Sequence, residues 1–387
     1  MGNASSESSI KVSIFSNYYN CSRSSGGSGG GSGGSSGGGS GGGSGSYTAG
    51  TLAIFAAGVT LDDTSSATYN TTIDSISFGN LANTISFGDL NTARSTSSGA
   101  SNGSNQRAIV SYGNPSASFS NPTSTPDTII YFTIDNPSAG VTVFGNLGYG
   151  TSDKGNIVSD KSNDHGMFLY ENHRVVSGDP SNPTYDKTPI EHVTISTPAN
   201  SVATTFTAFD INTAAINNTA ISNGEYGRCV ITEGYSNAPT NIIHHLSIPT
   251  SANGVLFGNL TTVSTGHIGV SNYTNDTGVI IGGLGDLDAQ LDTTESLTIS
   301  TPGNSILQAV LSDVVYNGAG CSNGVGDQGI YAGGSAYDSY GNNVLFGSYI
   351  TRDTIWAFNF SALSVDSIVI SAHLTNKVAY PASTDNA

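Results

Sequence analysis

Short runs in which an apolar residue, a serine or threonine and a second apolar residue follow one another return along the chain. They are Val12-Ser13-Ile14, Ile76-Ser77-Phe78, Phe132-Thr133-Ile134, Val193-Thr194-Ile195, Leu246-Ser247-Ile248 and Leu297-Thr298-Ile299. A seventh, Ile368-Val369-Ile370, keeps the apolar pair without the hydroxyl. In most copies another apolar residue lies three positions ahead, as at Ile73, Ile129, Ile190, Ile243 and Val365. Alternation with period two predicts half-buried strands, and no window sustains the 3.6-residue period of an amphipathic helix. The chain is therefore expected to be all-β.

A second element follows each of these strands. It is clearest as "FGDL" at 87–90 and "FGNL" at 144–147 and 257–260, with worn versions at Asp210 and Asp313. A loop with Asn-Gly or a close variant comes next, then another apolar strand, as in "NGSNQRAIVSYG" (102–113), "NGEYGRCVITEG" (223–234) and "SNGVGDQGIYAGG" (322–334). From Asp89 to Asn102, Asp210 to Asn223 and Asn259 to Asn272 the offset is 13 residues each time, so one structural unit has been copied. The strand centres Ser13, Ser77, Thr133, Thr194, Ser247, Thr298 and Val369 are 64, 56, 61, 53, 51 and 71 residues apart. Such a period, built from short strands and Gly/Asn/Pro/Ser turns, predicts a β-propeller of six or seven four-stranded blades in a single domain. In this reading 322–334 is a turn plus an inner strand, whose closing glycines let neighbouring blades approach.

The expected boundaries are a flexible arm at 1–8, the propeller at 9–373 and a C-terminal tail at 374–387. "NNVLFGSYITRDTIWAFNFSALS", 342–364, reads as irregular, and strands of the tail are expected to complete a blade with the N-terminal strand. Residues 24–46 are only Ser and Gly. The repeat register places this run as an insertion within the first blade, either a solvated loop or added insert, or a projecting recognition loop.

Composition narrows the partners. The formal charge is −17 and only 10% of residues are charged, so no basic patch is available for nucleic acid or an anionic membrane. Cys21, Cys229 and Cys321 are far apart and odd in number, and read as small packing residues. No apolar run approaches the ~20 residues of a membrane span. The start "MGNASS" fits the pattern for myristoylation of Gly2, the one expected route to a membrane.

Candidate chemistry is sparse. His244 and His245 are adjacent on a strand and point to opposite faces, so they do not chelate together; His192 occupies the position equivalent to His245. His165, His173, His267 and His373 are scattered. "GDLDAQLDTTE" (285–295) offers Asp286, Asp288, Asp292 and Glu295 as oxygen ligands for Ca²⁺, without the glycine and spacing of a standard calcium loop. "GNLGYG" at 145–150 is strand-turn punctuation, and no GxSxG elbow is present. No cofactor and no catalytic residue is expected. Tyr18, Tyr19, Tyr112, Tyr149, Tyr235, Tyr273 and Tyr340 fall near turns, where an aromatic face with a polar rim suits a sugar ring, or else they pack between blades. Trp356, the only tryptophan, would anchor the seam or a partner.

"FGDL", "CSNGVGDQGIYAGG" and the VTIST-type strand together resemble tandem repeats of virion-associated proteins of tailed bacteriophages, among them tail-fibre-like and other particle-surface proteins, over about 50–335. The strand-ending glycine pair also resembles kelch propeller units. The third and fourth units depart from it, with "FLYENH" and "VITEG" in its place. The resemblance implies a non-enzymatic structural or interaction role in a virion, as head decoration, fibre or tail-associated protein, with other virion proteins as partners. The competing expectation is a carbohydrate-binding adhesin for host attachment through cell-surface glycans. An enzyme of the galactose-oxidase or sialidase sort would need recurring acids, arginines or metal ligands.

Overall fold

In a computed structural model the chain forms a closed wheel of six four-stranded antiparallel blades. The structure describes residues 52–385 apart from 62–66, 95–97, 112, 114–127, 137–138, 149–154, 171–173, 176–183, 186–188, 208–218, 235–239, 251, 287–288, 312, 338–348, 364–368 and 379–381. Naming strands from the axis outward, blade two is Ser98–Ser101, Arg107–Ser111, Thr128–Thr133 and Thr142–Asn146. Blade three is Gly155–Ser159, His165–Tyr170, Pro189–Thr194 and Val202–Thr207, with a two-residue ribbon of Arg174–Val175 and Thr184–Tyr185 between its second and third strands. Blade four is Ala220–Ser222, Arg228–Thr232, Thr240–Ser247 and Val255–Ser264. Blade five is Ile268–Ser271, Thr277–Ile281, Thr293–Thr298 and Ile306–Val310. Blade six is Tyr316–Ser322, Gln328–Tyr337, Tyr349–Asn359 and Val369–Val378.

Blade one is assembled from both parts of the chain. Its second, third and outer strands are Leu52–Ala56, Ala67–Ser77 and Asn80–Arg94, its inner strand is Ala382–Asp385, which pairs antiparallel with Leu52–Ala56, and a short fifth strand, Val59–Leu61, pairs with the start of Ala67–Ser77. The ring therefore closes by strand pairing between distant segments, which the sequence anticipates, though through a different strand. The region after 373, expected to be a tail, supplies the end of blade six and the inner strand of blade one. The strand expected at 9–14, the arm at 1–8 and the Ser/Gly run at 24–46 lie outside the described residues. Two further expectations are corrected. The apolar run after each Asn-Gly turn is the second strand, not the inner one, because inner strands end at the turn itself. Tyr349–Asn359, within the stretch read as irregular, is the regular third strand of blade six.

Each blade buries both faces, and the core is divided into six clusters, one per gap. Ala53, Phe55 and Ile76 of blade one pack on Ala319, Ile330 and Ile355 of blade six. Ile54 and Ile73 meet Ala108, Val110 and Ile130 across the gap from blade one to blade two. The same arrangement joins two to three, three to four, four to five and five to six. This is why second strands such as Arg107–Ser111 and Thr277–Ile281 are buried along nearly their whole length instead of alternating. The apolar–hydroxyl–apolar signature marks the end of the third strand, where Val193 and Ile195 are buried and Thr194 is exposed.

The FG[DN]L element has a geometric cause. In blades one, two and four the phenylalanine is the extra residue of a β-bulge in the outer strand: Ile129 faces Gly145 while Ile130 faces Val143, leaving Phe144 unpaired, and Phe87 and Phe257 occupy the same place. The bulge turns these rings into the gap, where all three are buried. In blades two and four the glycine that follows admits the next blade. A Cβ on Gly145 would stand 2.0 Å from the Ala199 carbonyl oxygen, and one on Gly258 2.1 Å from that of Gly303. Replacing Gly258 by alanine is expected to destabilise the wheel by about 2 kcal/mol or more, since only backbone movement relieves the clash. Gly140→Ala meets no atom within 4 Å and is strained only by its positive φ of +70°; it should cost about 1 kcal/mol. Urea denaturation of the two variants side by side measures the difference.

Candidate functional site

At one end of the wheel the inner and second strands of blades two to six are joined by the same one-turn 3₁₀ segment. It starts at Asn102, Asp160, Asn223, Asn272 and Asn323. The side-chain oxygen of each starting residue accepts the main-chain N–H five residues on, from Arg107, His165, Arg228, Thr277 and Gln328 at 2.7–2.9 Å. Two positions of every turn are left-handed. The second of them is Gln106, Asp164, Gly227, Asp276 or Asp327. The first is glycine in blades two, four and six, but Lys161 in blade three (φ 64°) and Tyr273 in blade five (φ 56°). An L-residue held there costs on the order of 1 kcal/mol.

A serine precedes every turn, and these serines form a belt around the axis. Ser159 Oγ donates to the Ser101 carbonyl, Ser222 to Ser159, Ser271 to Ser222 and Ser322 to Ser271, at 2.7–3.0 Å, and Ser383 of the closing strand donates to Gly320 at 3.0 Å. Where this belt meets the turns, Lys161 and Tyr273 fill the axial mouth. Both are buried; the ammonium donates to Ser101 Oγ at 2.7 Å and lies 5.6 Å from the Tyr273 ring centroid. Three blades are thus tied at this end by one lysine and one ring reaching from non-adjacent blades.

Further fasteners alternate from blade to blade. Asn102 Nδ2 and Arg107 Nη1 of blade two reach Asp164 and the Ile195 and Ser196 carbonyls of blade three. In blade four, Asn223 and Arg228 repeat these contacts with Asp276 and the Ser300 carbonyl of blade five. Asp164, Asp276 and Asp327 each accept the main-chain N–H and hydroxyl of a serine at the end of the third strand, Ser196, Ser300 and Ser361. Nearer the rim, buried Glu191 accepts from Gly148 N–H and Ser201 Oγ, and buried Glu295 from Thr261 and Thr262 N–H and Ser305 Oγ. The matching hairpins "STPANS" (196–201) and "STPGNS" (300–305) place Asn200 and Asn304 on the N–H groups of Asn146 and Asn259. Across blades two to five the working repeat is two blades long.

Of the remaining titratable groups, those of the Ser264–His267 and Glu233–His244 pairs are enclosed, while His165 is half-exposed. Ser264 Oγ stands 2.6 Å from His267 Nε2, the spacing of a nucleophile and its base, but Ser264 is buried, His267 is fully buried, and Glu295 has its oxygens on blade four. Burial pulls His267 down to about 4, against a smaller upward pull from Glu295. Asp160, raised by burial, holds the ring of half-exposed His165 at 2.7 Å. Glu233, also raised by burial, accepts from Thr240 and lies 3.5 Å from His244. Among the described residues no three His, Cys, Asp or Glu side chains converge as a metal site. Of the expected calcium ligands, Asp286 is exposed, Asp288 is outside the described residues, and Glu295 is turned to Thr261.

Of the aromatic residues singled out from sequence, Tyr18, Tyr19, Tyr112, Tyr149, Tyr235 and Tyr340 lie outside the described residues. Tyr273 and Trp356 are not exposed. Tyr273 is in the axial mouth, and Trp356 stacks on Tyr331 at 4.8 Å in the core between blades five and six. His244 is buried and His245 half-exposed, on opposite faces as expected; Cys229 and Cys321 are buried packing residues, and burial raises the Cys229 thiol. The serine belt and the buried carboxylates were missed, although a serine stands before every turn asparagine or aspartate.

The fold defines a six-bladed β-propeller. No family model and no curated protein matches the sequence. Among solved structures the wheel is similar to one titled "Structure of YjhT", with a TM-score of 0.55 and 12% identity over 75% of this chain and 87% of that one. At that identity the likeness concerns the fold.

His267 makes stability pH-dependent. Its folded-state pKa, about 4, is below the ordinary 6.5, so the unfolded chain binds a proton that the folded chain refuses. The stabilisation is complete above pH 6.5 and is lost as pH falls toward 4, by up to about 3 kcal/mol. In urea titrations the His267→Asn variant should show a flatter profile across this window than the unaltered chain.

Proposed function

We propose that the wheel is a non-enzymatic display module whose contact surface is the end opposite the 3₁₀ turns. The observation that carries this reading is the use of its carboxylates: the buried Glu191 and Glu295 and the partly exposed Asp164, Asp276 and Asp327 all bind main-chain or hydroxyl groups that hold strands and blades in place. A scaffold stiffened in this way suits the presentation of segments that do not themselves hold the fold together. Second strands end and third strands begin at the opposite end, so the polar connections 112–127, 171–188, 235–239 and 338–348 are all attached there, as are the outer-to-inner connections 149–154 and 208–218. Tyr112, Tyr149, Tyr235 and Tyr340 all belong to these connections.

The particle setting rests on the likeness of the repeats to phage virion proteins, and many weak contacts per particle would multiply through copy number. A chain with this role is stoichiometric with other structural proteins in purified particles. Quantitative mass spectrometry of such particles tests it, and a trace, variable abundance refutes it. The presence of four tyrosines in these linking sequences favours glycan contact as a second reading. Under it, glycan-array binding falls about tenfold or more in a Tyr112→Ala/Tyr149→Ala/Tyr235→Ala/Tyr340→Ala variant.

A further inference from the structure

We propose that the hairpin at Asn253 and Gly254 is a site of spontaneous covalent modification, at which attack by the chain's own main-chain nitrogen converts the Asn253 carboxamide to a carboxylate. Five asparagines of the chain are followed by glycine: Asn102, Asn223, Asn253, Asn317 and Asn323. This context favours the reaction, because glycine has no Cβ to hold the following nitrogen away from the side chain.

The carboxamide must turn onto the next main-chain nitrogen, and the fold prevents this at four of the five. The side-chain oxygens of Asn102, Asn223 and Asn323 accept the N–H groups of Arg107, Arg228 and Gln328 at 2.8–2.9 Å. The nitrogens that would attack, those of Gly103, Gly224 and Gly324, donate to Ser101, Ser222 and Ser322 Oγ at 3.1–3.4 Å. Asn317 is buried within the inner strand of blade six and donates its own N–H to the Gly266 carbonyl. Asn253 differs from all four. It is exposed, and it lies between the third and outer strands of blade four, outside any strand or 3₁₀ turn.

Its sister hairpins show the departure. In register, Asn253 and Gly254 stand where blades three and five have Asn200-Ser201 and Asn304-Ser305. There the serines donate to buried Glu191 and Glu295, and the asparagines accept N–H groups of the blade before. Blade four has His244 at the position of the two carboxylates and glycine at the position of the two serines. The residue that takes the place of the bracing serine is the one that opens the asparagine to attack.

The step needs only solvent water. The Gly254 nitrogen gives up its proton and bonds to Asn253 Cγ; the Cγ–Nδ2 bond breaks and ammonia leaves with that proton, closing a cyclic imide. Water then opens the ring at either carbonyl, returns a hydrogen to the Gly254 nitrogen and leaves a carboxylate, on aspartate or on isoaspartate. Each event adds one negative charge to a chain already at −17. The rate rises with pH, because the nitrogen bonds after losing its proton. The inference is independent of where the wheel is displayed.

Peptide mapping by mass spectrometry, on the full chain incubated folded at mildly alkaline pH, tests it. Aspartate and isoaspartate should form at 253 at least about tenfold faster than at 102, 223, 317 and 323, which react only when the fold opens. In the urea-unfolded chain all five positions should react within about threefold of one another, since the contacts that hold four of them are gone. Gly254→Ser, which gives blade four the dipeptide of its sister hairpins, should slow the reaction at 253 about tenfold or more. An Asn253 amide that survives in the folded chain while the unfolded chain reacts overturns the proposal, as does reaction at any of the other four as fast as at 253. An undiminished rate in Gly254→Ser would also overturn it.

Discussion

The wheel depends on the pairing of Ala382–Asp385 with Leu52–Ala56. Each blade has two apolar faces and each face is covered by a neighbour, so no arrangement short of a full circle buries them all. The closing strand contributes little apolar surface of its own. Ser383 ties it to blade six through Gly320, and the Ser383 carbonyl lies where a Cβ on Gly99 of blade two would stand 2.8 Å away. Four residues thereby join three blades, and the fit on the blade-two side requires the absence of a side chain.

Hydrogen bonding in the interior is organised by distance from the axis. Next to it, hydroxyls of inner strands donate to the carbonyls of the preceding blade. At the turn end, aspartates take the serine at the close of the third strand. Farther out, Glu191 takes the N–H of Gly148, just past the outer strand of blade two, and Glu295 takes those of Thr261 and Thr262 in the outer strand of blade four. In both cases a buried carboxylate of one blade satisfies main-chain donors of the blade before it.

Much of the fold was legible in the sequence because its signals are local. Alternation at Val193-Thr194-Ile195, the Asn-Gly turns and the FG[DN]L bulges recur at fixed offsets, and those offsets reveal the blade. The inner strands are hard to read in the sequence because several are short and polar: "SGAS" and "AIS" carry no apolar alternation, and "ASTD" is held by hydrogen bonds. Sequence leaves Tyr273 open between a sugar contact and packing, and Trp356 between the seam and a partner; only the three-dimensional path turns one into the axis and the other against Tyr331. The two-blade period is written in "STPANS" and "STPGNS", but it shows its meaning only when Asn200 and Asn304 are seen against the blade before.

That period constrains how such a ring can change its size. Blades two and four donate through Asn102, Arg107, Asn223 and Arg228, and blades three and five receive through Asp164 and Asp276. Within that run, gain or loss of a single blade would bring two donors or two receivers face to face, and the asparagine and arginine contacts across the gap would be lost while Asp164 and Asp276 kept their own serines. Between blades two and five, relatives of this architecture are therefore expected to grow or shrink by couples.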